Sequence, residues 1–268
     1  MTTTADPVLV DVAERIGTVT LNRPEARNAL SSEVLTRLPE AMAALDGDDG
    51  VDVIILTGAD PAFCAGLDLK ELGSTGGNLG AGAPNRDRAD GQGLRRGPWG
   101  QLGKPVIGAV NGVSVTGGFE LALCCDFLVA SERARFADTH ARVGVMPGWG
   151  LTVLLPQAVG LRKAQEMSTT GNFLDAAEAH RLGLVNHVVA HEQLIPTARG
   201  LALDIIGNDQ PGVRQVLATY RAVADTTIAE GWQAEARMGR AWLRGRDVTS
   251  EVAGRREGIL ARGRTQST

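Results

Sequence analysis

An α/β fold is the architecture this chain of 268 residues predicts, and three features predict it. Short apolar runs bounded by turn residues alternate with segments of helical period up to about residue 190. Two stretches, Phe63-Cys64-Ala65-Gly66-Leu67-Asp68-Leu69-Lys70 and Asn111-Gly112-Val113-Ser114-Val115-Thr116-Gly117-Gly118-Phe119-Glu120, put small residues where a strand ends and a helix begins. From His191 onward the period is helical to the end. The expected organisation is a strand-and-helix core over residues 1–190 and a helical region over 191–268.

Taken in order, Val8 to Arg15 and Thr18 to Leu21 read as a strand pair about Gly17. Asn22-Arg23-Pro24-Glu25-Ala26-Arg27 is a polar connection, where Pro24 bars both a ladder and a helix interior. Ser31 or Ser32 caps a helix reaching about Leu45, because Val34, Leu35, Leu38, Met42 and Leu45 fall on one face. Val51 to Leu56 is an unbroken apolar run between turn residues, the pattern of a strand buried on both faces. Between Gly73 and Gly100 the apolar period gives way to Gly, Asn, Asp and Arg, which reads as a mobile lid or a partly disordered connection.

Pro105 to Val110 resumes as a strand, followed by a helix over Gly117–Cys125 and a strand over Asp126–Ala130. Small helices are expected over Thr139–Val143, Leu151–Val159, Arg162–Thr169 and Asp175–Leu182, then a last strand at Val185–Val189. The remainder carries helices over Leu194–Ile206, Val213–Ala224, Ile228–Arg244 and Val248–Ala261, the last stretch rich in arginine. No repeat of 20 to 50 residues shows in the letters.

The length is near the upper limit for one core, and 43% hydrophobic residues suffice to fill it. A formal charge of −4 argues against a nucleic-acid partner, and aromatics at 4% leave little for base stacking. The start lacks a basic segment followed by an apolar run, so no secretory signal is expected. No apolar stretch approaches the roughly 20 residues that span a bilayer. Cys64, Cys124 and Cys125 are odd in number and two are adjacent, which speaks against a disulfide framework. A protein of the reducing cytoplasm is the expectation.

Both junctions carry chemistry. The first N–H groups of a helix lack intrahelical partners and favour negative charge in front of them. Two such ends facing one another grip a single oxygen from two sides, with Glu120 within a turn of one grip. Other signals lead nowhere similar. Gly91-Gln92-Gly93 has no strand running into a helix, and Gly103-Lys104 meets Pro105, so neither is a nucleotide loop. His187 and His191 stand four apart without the intervening glutamate of a zinc hydrolase and read as surface residues. Cys124 and Cys125 read as small core residues, Asp68 and Asp126 as local backbone fixers, and Asp138 and Asp175 as helix caps. Trp149 either lines an acyl pocket or packs in the core.

Leu21-Asn22-Arg23-Pro24 through Asn28-Ala29-Leu30, Phe63 to Leu72, Gly112 to Asp126, then Gly144, Pro147, Gly148, Gly150 and Gly183-Leu184-Val185 form an ordered set. With it the chain resembles the crotonase superfamily, the enoyl-CoA hydratase/isomerase family, over nearly its whole length. The resemblance implies a spiral of β-β-α turns, a C-terminal helical region that builds trimers, and often a hexamer of two trimers. It implies that the N–H groups of Leu67 and Gly117 hold an acyl-CoA thioester oxygen. It also places Lys70 and Arg27 near the phosphates of coenzyme A, Ala65 and Ala26 near its adenine, and Asp68 and Leu69 in the same binding stretch. No permanent cofactor and no metal are implied; the coenzyme A thioester is the substrate. The arginines of the tail either reach a neighbouring subunit's 3′-phosphate or form the polar face of amphipathic helices. Leu67 departs from the small residue usual at its position, though a backbone donor survives that change.

The implied reaction is reversible addition of water to the C2–C3 double bond of a 2-enoyl-CoA. Its alternatives are another crotonase reaction (isomerisation, decarboxylation or thioester hydrolysis) and a non-catalytic acyl-CoA binding protein. Hydration needs a base for water at C3 and an acid for C2. Glu120 matches the first of the family's two glutamates, but His140 stands where the second belongs. Three readings follow: His140 replaces the glutamate, Glu120 works alone, or His140 is structural.

Overall fold

A computed structural model of the chain describes residues 6–80, 97–244 and 246–266. The chain divides into two compact units after Gln210. In the first, β1 (Val8–Ala13) and β2 (Ile16–Leu21) form an antiparallel hairpin with Ala13 opposite Ile16. Its turn is Glu14-Arg15, with φ of 53° and 64°, so the pivot is not Gly17 as the sequence suggested. Two successive left-handed residues match the twist of the flanking strands. Gly17 lies inside β2 because Leu45 packs there: a Cβ would come within 2.7 Å of its Cδ2.

A 3-10 turn (Pro24–Ala26) leads to α1 (Ser32–Gly47), capped by Ser31, whose Oγ accepts the Val34 N–H. Val34, Leu35, Leu38, Met42 and Leu45 are its buried face, as the period predicts. There follow β3 (Val53–Gly58), β4 (Ala62–Cys64), α2 (Leu69–Ser74), α3 (Gly77–Gly80), β5 (Val106–Val110), β6 (Val113–Val115), α4 (Gly117–Leu123), β7 (Phe127–Ser131), β8 (Arg135–Ala137) and α5 (His140–Val143). The unit ends with α6 (Leu151–Val159), α7 (Leu161–Thr170), β9 (Leu174–Asp175), α8 (Ala176–Arg181), β10 (His187–Val189) and α9 (Leu194–Ile206). The expected lid over 73–100 begins as the end of α2 and α3, and its residues 81–96, with Gly91-Gln92-Gly93, lie outside the described residues.

A strand, a second strand and a helix recur three times: β3-β4-α2, β5-β6-α4 and β7-β8-α5. Each turn gives one strand to a six-stranded sheet, ordered β1-β2-β3-β5-β7-β10, and one to a four-stranded sheet, ordered β4-β6-β8-β9. Successive turns pair in parallel, Ile54 with Val106 and Gly108 with Leu128 in the large sheet, Ala62 with Val113 and Val113 with Arg135 in the small one. This is the spiral of β-β-α turns. The central strands β3, β5 and β7 of the large sheet are buried on both faces by alternation. Ile16, Val53, Ile55, Ile107 and Val129 meet Leu194, Ala198 and Ala202 of α9. Val19, Ile54, Leu56, Val110 and Leu128 belong to the main core with Phe63, Phe119 and Phe136.

The second unit contains the rest of α10 (Gln210–Val223), with α11 (Ile228–Leu243) and α12 (Val248–Gln266). Thr227 and Glu230 form a reciprocal capping box at the start of α11. Arg246 lies 3.9 Å from the ring centre of Trp242 and pairs with Glu251. Among the described residues no helix is long and apolar enough to cross a membrane.

Candidate active site

The two junctions leave the same end of two paired parallel strands, β4 and β6, so they emerge side by side. Leu30 bridges to Leu67 in parallel: its N–H donates to Gly66 O (2.8 Å) and its carbonyl accepts from Asp68 N (3.0 Å). That pattern turns the Leu67 N–H away from Leu30. Gly117 is the first residue of α4, and Thr116 before it supplies no side-chain cap, so the Gly117 N–H has no intrahelical partner. Glycine is required at the crossing. A Cβ on Gly118 would lie 2.2 Å from Cys64 O, and one on Gly66, at φ 84°, would lie 2.8 Å from Val115 O.

Glu120 projects from the first turn of α4, 3% exposed, held over β8 by the tilted ring pair Phe119–Phe136, with centroids 5.5 Å apart. Its Oε1 accepts N–H groups from Trp149 (2.7 Å), Gly148 (3.1 Å) and Leu151 (3.5 Å), the turn that opens α6. Burying a carboxylate costs several kcal/mol. Charge-assisted hydrogen bonds of about 1.5–3 kcal/mol each offset it. Its other oxygen, Oε2, faces His140 Nε2 at 3.4 Å.

His140 is 5% exposed at the start of α5. Its Nδ1 lies 2.6 Å from Asp138 Oδ1, which also accepts the His140 backbone N–H at 3.1 Å. Burial disfavours the charged ring, but hydrogen bonds and fields from Asp138 and Glu120 outweigh it and hold the pKa at about 9. Asp138 is buried too, yet hydrogen bonds from His140 and Ser168 keep it below the ordinary carboxylate value. The strip is stitched to the second junction, since Thr116 N donates to Ala137 O (3.0 Å) and Thr116 Oγ1 meets Thr139 Oγ1 at 2.5 Å. Sequence reasoning assigned Asp138 to capping alone. The Asp-Thr-His spacing was the available signal, because two residues is the reach of a carboxylate to a following ring.

Glu120, His140, Leu67 and Gly117 are therefore brought together through named contacts. A Gly117 Cβ would lie 3.0 Å from Leu30 Cδ1 and 3.6 Å from the Trp149 ring, and the Trp149 backbone holds Glu120. Trp149 is a core residue at 8% exposure and a wall of the second junction at once. Ala65 N donates to Arg27 O at 3.0 Å, which puts Ala26, Arg27 and Ala65 along one edge. Arg27 and Lys70 are exposed, as is Leu69, the first residue of α2. Asp68 is a fixer of backbone: Oδ1 caps Lys70 and Glu71, and Oδ2 pairs with Arg23 at 2.9 Å.

The set-aside signals have structural places. Lys104 is buried and donates to Leu45 O and Asp48 O, and Asp126 accepts the Val106 N–H. His187 is exposed, but His191 is not a plain surface residue: its ring joins Ser131 Oγ to Asp60 Oδ2, each at 3.0 Å. Burial pushes the Cys64 and Cys124 thiols up to about 12. Among the described residues no group of three or more His, Cys, Asp or Glu is placed to hold a metal ion.

The sequence pattern of the enoyl-CoA hydratase/isomerase family matches residues 11–259. The chain belongs to that family. Among its relatives, a probable enoyl-CoA hydratase of Rhizobium meliloti (strain 1021) is 38% identical over 237 residues, 87% of this chain and 88% of that one. A crotonyl-CoA hydratase of Syntrophomonas wolfei is 36% identical over 230 residues, 85% and 86% of the two chains. A solved enoyl-CoA hydratase from Mycobacterium tuberculosis H37Rv superposes with a TM-score of 0.73 at 50% identity, covering 88% of this chain and 98% of that one. Another, from Mycobacterium marinum, gives 0.82 at 30% identity over 95% and 97%. Family membership fixes the scaffold, and the side chains set on it select the reaction.

Proposed function

We propose that this chain is an enoyl-CoA hydratase-like lyase that adds water reversibly across the C2–C3 double bond of a 2-enoyl-CoA. The observation that carries the reading is the pairing of Glu120 Oε2 with His140 Nε2 at 3.4 Å beside the two junctions. The Leu67 and Gly117 N–H groups receive the thioester oxygen, where negative charge develops as C2 gains carbanion character. One pre-aimed donor of this kind is worth about 3–4 kcal/mol of barrier. Glu120 Oε2 takes a proton from water as its oxygen bonds C3, and His140 Nε2–H delivers a proton to C2. Glu120 is then protonated and His140 neutral, and transfer of that proton to Nε2 restores both groups.

The Glu120 geometry suits a base. Its Oε1 is locked by the α6 turn, so only Oε2 is free to work. The exposed pair Arg27 and Lys70 meets the phosphates of coenzyme A, with Ala26, Ala65, Asp68 and Leu69 forming the edge beside them. The chain acts as a homotrimer or as two trimers paired, in the cytoplasm, with no permanent cofactor. Light scattering tests the assembly: a monomer in solution at working concentration removes it.

Crotonyl-CoA tests the chemistry. The conjugated-enoyl absorbance falls on adding the protein, and Glu120→Gln slows that fall by about a hundred- to ten-thousand-fold. Saturable binding of several enoyl-CoAs with no turnover would make the protein a binding module instead.

A further inference from the structure

We propose that Asp138 is the positioning residue that fixes His140 as a proton donor directed at Glu120. This rests on the hydration reading for its purpose but on local geometry for its existence.

One oxygen of Asp138 accepts both the backbone N–H and the ring Nδ1–H of His140, at 3.1 and 2.6 Å. Ring and main chain of one residue are thus tied to a single atom, which restricts the side-chain torsions of the imidazole. Ser168, from α7, donates to the same carboxylate. A carboxylate at Nδ1 selects the tautomer with its proton there. A neutral ring would then present a bare nitrogen lone pair to Glu120 Oε2 at 3.4 Å, lone pair against lone pair. A second proton on Nε2 removes that conflict and turns the contact into a charge-assisted one. The pair that would be two carboxylates in a typical relative is here a carboxylate and an imidazolium, with Asp138 supplying the second negative charge from behind.

The charged groups acting on the ring are Glu120 from α4 and Asp138 from the end of β8. From α7 the group directed at this site is the uncharged Ser168. Arg142, on the same short helix as His140, points away to Thr170 O and the Asn172 side chain. The raised affinity of His140 for its proton follows from these two carboxylates, so removing one charge while keeping its shape isolates the effect.

Asp138→Asn does this, since Asn still accepts the backbone N–H. Two readouts are taken: the NMR titration of the His140 imidazole without substrate, and the pH profile of kcat and KM on crotonyl-CoA. In the unaltered protein the ring titrates near pH 9, with Nδ1 protonated throughout. In Asp138→Asn that titration and the alkaline limb of kcat move down by about one pH unit or more. At pH 8 kcat falls by about twofold for a shift of one pH unit and about tenfold for a shift of two, while KM changes less than about twofold, and the deficit shrinks at pH 6. Ser168→Ala moves the titration the same way by a smaller amount. Unshifted ring titration in Asp138→Asn, or equal loss of kcat at pH 6 and 8, overturns the proposal. So does an unaltered protein whose His140 titrates at or below the ordinary histidine value, a result that needs no variant to fold. The NMR arm is independent of turnover, so failure of hydration with a shifted titration removes the reaction and leaves the positioning role.

Discussion

The two strand-to-helix junctions look alike as letters and meet their helices in different ways. At the first, Asp68 caps α2 through the Lys70 and Glu71 N–H groups and is itself paired with Arg23. The positive end of that helix is already occupied, and the offered donor, Leu67, precedes it. At the second, Thr116 gives no side-chain cap, so α4 offers its own first N–H, that of Gly117. The first junction is held by side chains: Asn28 donates to Ala59 O and Ala62 O, and Arg23 to Ala29 O. The second is held by the absence of side chains, at Gly117 and Gly118. The proposed oxygen-binding site thus joins a braced donor to an uncapped one, and the two halves should fail differently.

Adding a methyl group breaks the second junction hardest. In Gly118→Ala the new Cβ meets Cys64 O at 2.2 Å and Cys64 C at 2.8 Å, both backbone atoms that cannot swing aside. Strand β4 must move from α4, which costs about 3 kcal/mol of stability or more and spoils the shared grip. Gly66→Ala, at φ 84° and 2.8 Å from Val115 O, costs less, about 1–3 kcal/mol. Chemical unfolding and crotonyl-CoA turnover check both. Equal losses at the two glycines would erase the distinction.

The junctions also part at opposite ends of the pH scale. His140, tied to the second through Thr116 and Thr139, has its pKa raised from 6.5 to about 9. A raised folded value means stability fully present below the unfolded pKa and lost as pH rises through about 9. Burial opposes the charge of Asp68, but Arg23 and the cap N–H groups prevail and lower its pKa from 3.8. Its contribution is present above the unfolded value and is lost as pH falls through the folded one. Urea midpoints across pH measure this. His140→Gln flattens the alkaline side and Asp68→Asn the acid side, where Asp138 also contributes. An alkaline side unchanged by His140→Gln contradicts the coupling.

Side-chain bracing at the first junction gives a moderate effect. Asp68→Ala removes a cap worth about 1 kcal/mol and a half-buried ion pair, for a total of about 1–2 kcal/mol. Turnover drops by less than about tenfold, because the Leu67 N–H is aimed by the backbone bonds that Leu30 makes to Gly66 O and Asp68 N, which survive. A hundredfold loss would mean that the cap, and not the bridge, aims that donor.

Period and punctuation made the large elements legible. The α1 face, the doubly buried β3 and the cap at Asp175 follow from single-segment physics. The small sheet was not legible. Its strands β4, β6 and β8 are three residues each, too short for alternation to register, and only their neighbours in the next turn of the spiral define them. For the same reason the three β-β-α turns show no repeat in the letters. At the site, glycine spacing exposed Gly117 and Glu120, whereas the α6 turn that holds Glu120 joins it from 28 to 31 residues away. The Asp138 role turned on a ring orientation that only packing reveals.

The smallest effects belong to the exposed rim. Lys70 and Arg27 lie on the surface beside the first junction, with little folded structure depending on their side chains. Alanine at either changes stability by less than about 0.5 kcal/mol. If they meet phosphates of coenzyme A, they hold ground state and transition state alike, so KM rises several-fold and kcat stays level. The rise shrinks as salt screens the contact. A short acyl thioester lacking the nucleotide portion would show no difference between variant and parent. Should Lys70→Ala instead lower kcat with KM intact, the rim would belong to the chemistry, and the first junction would carry charge as well as bracing.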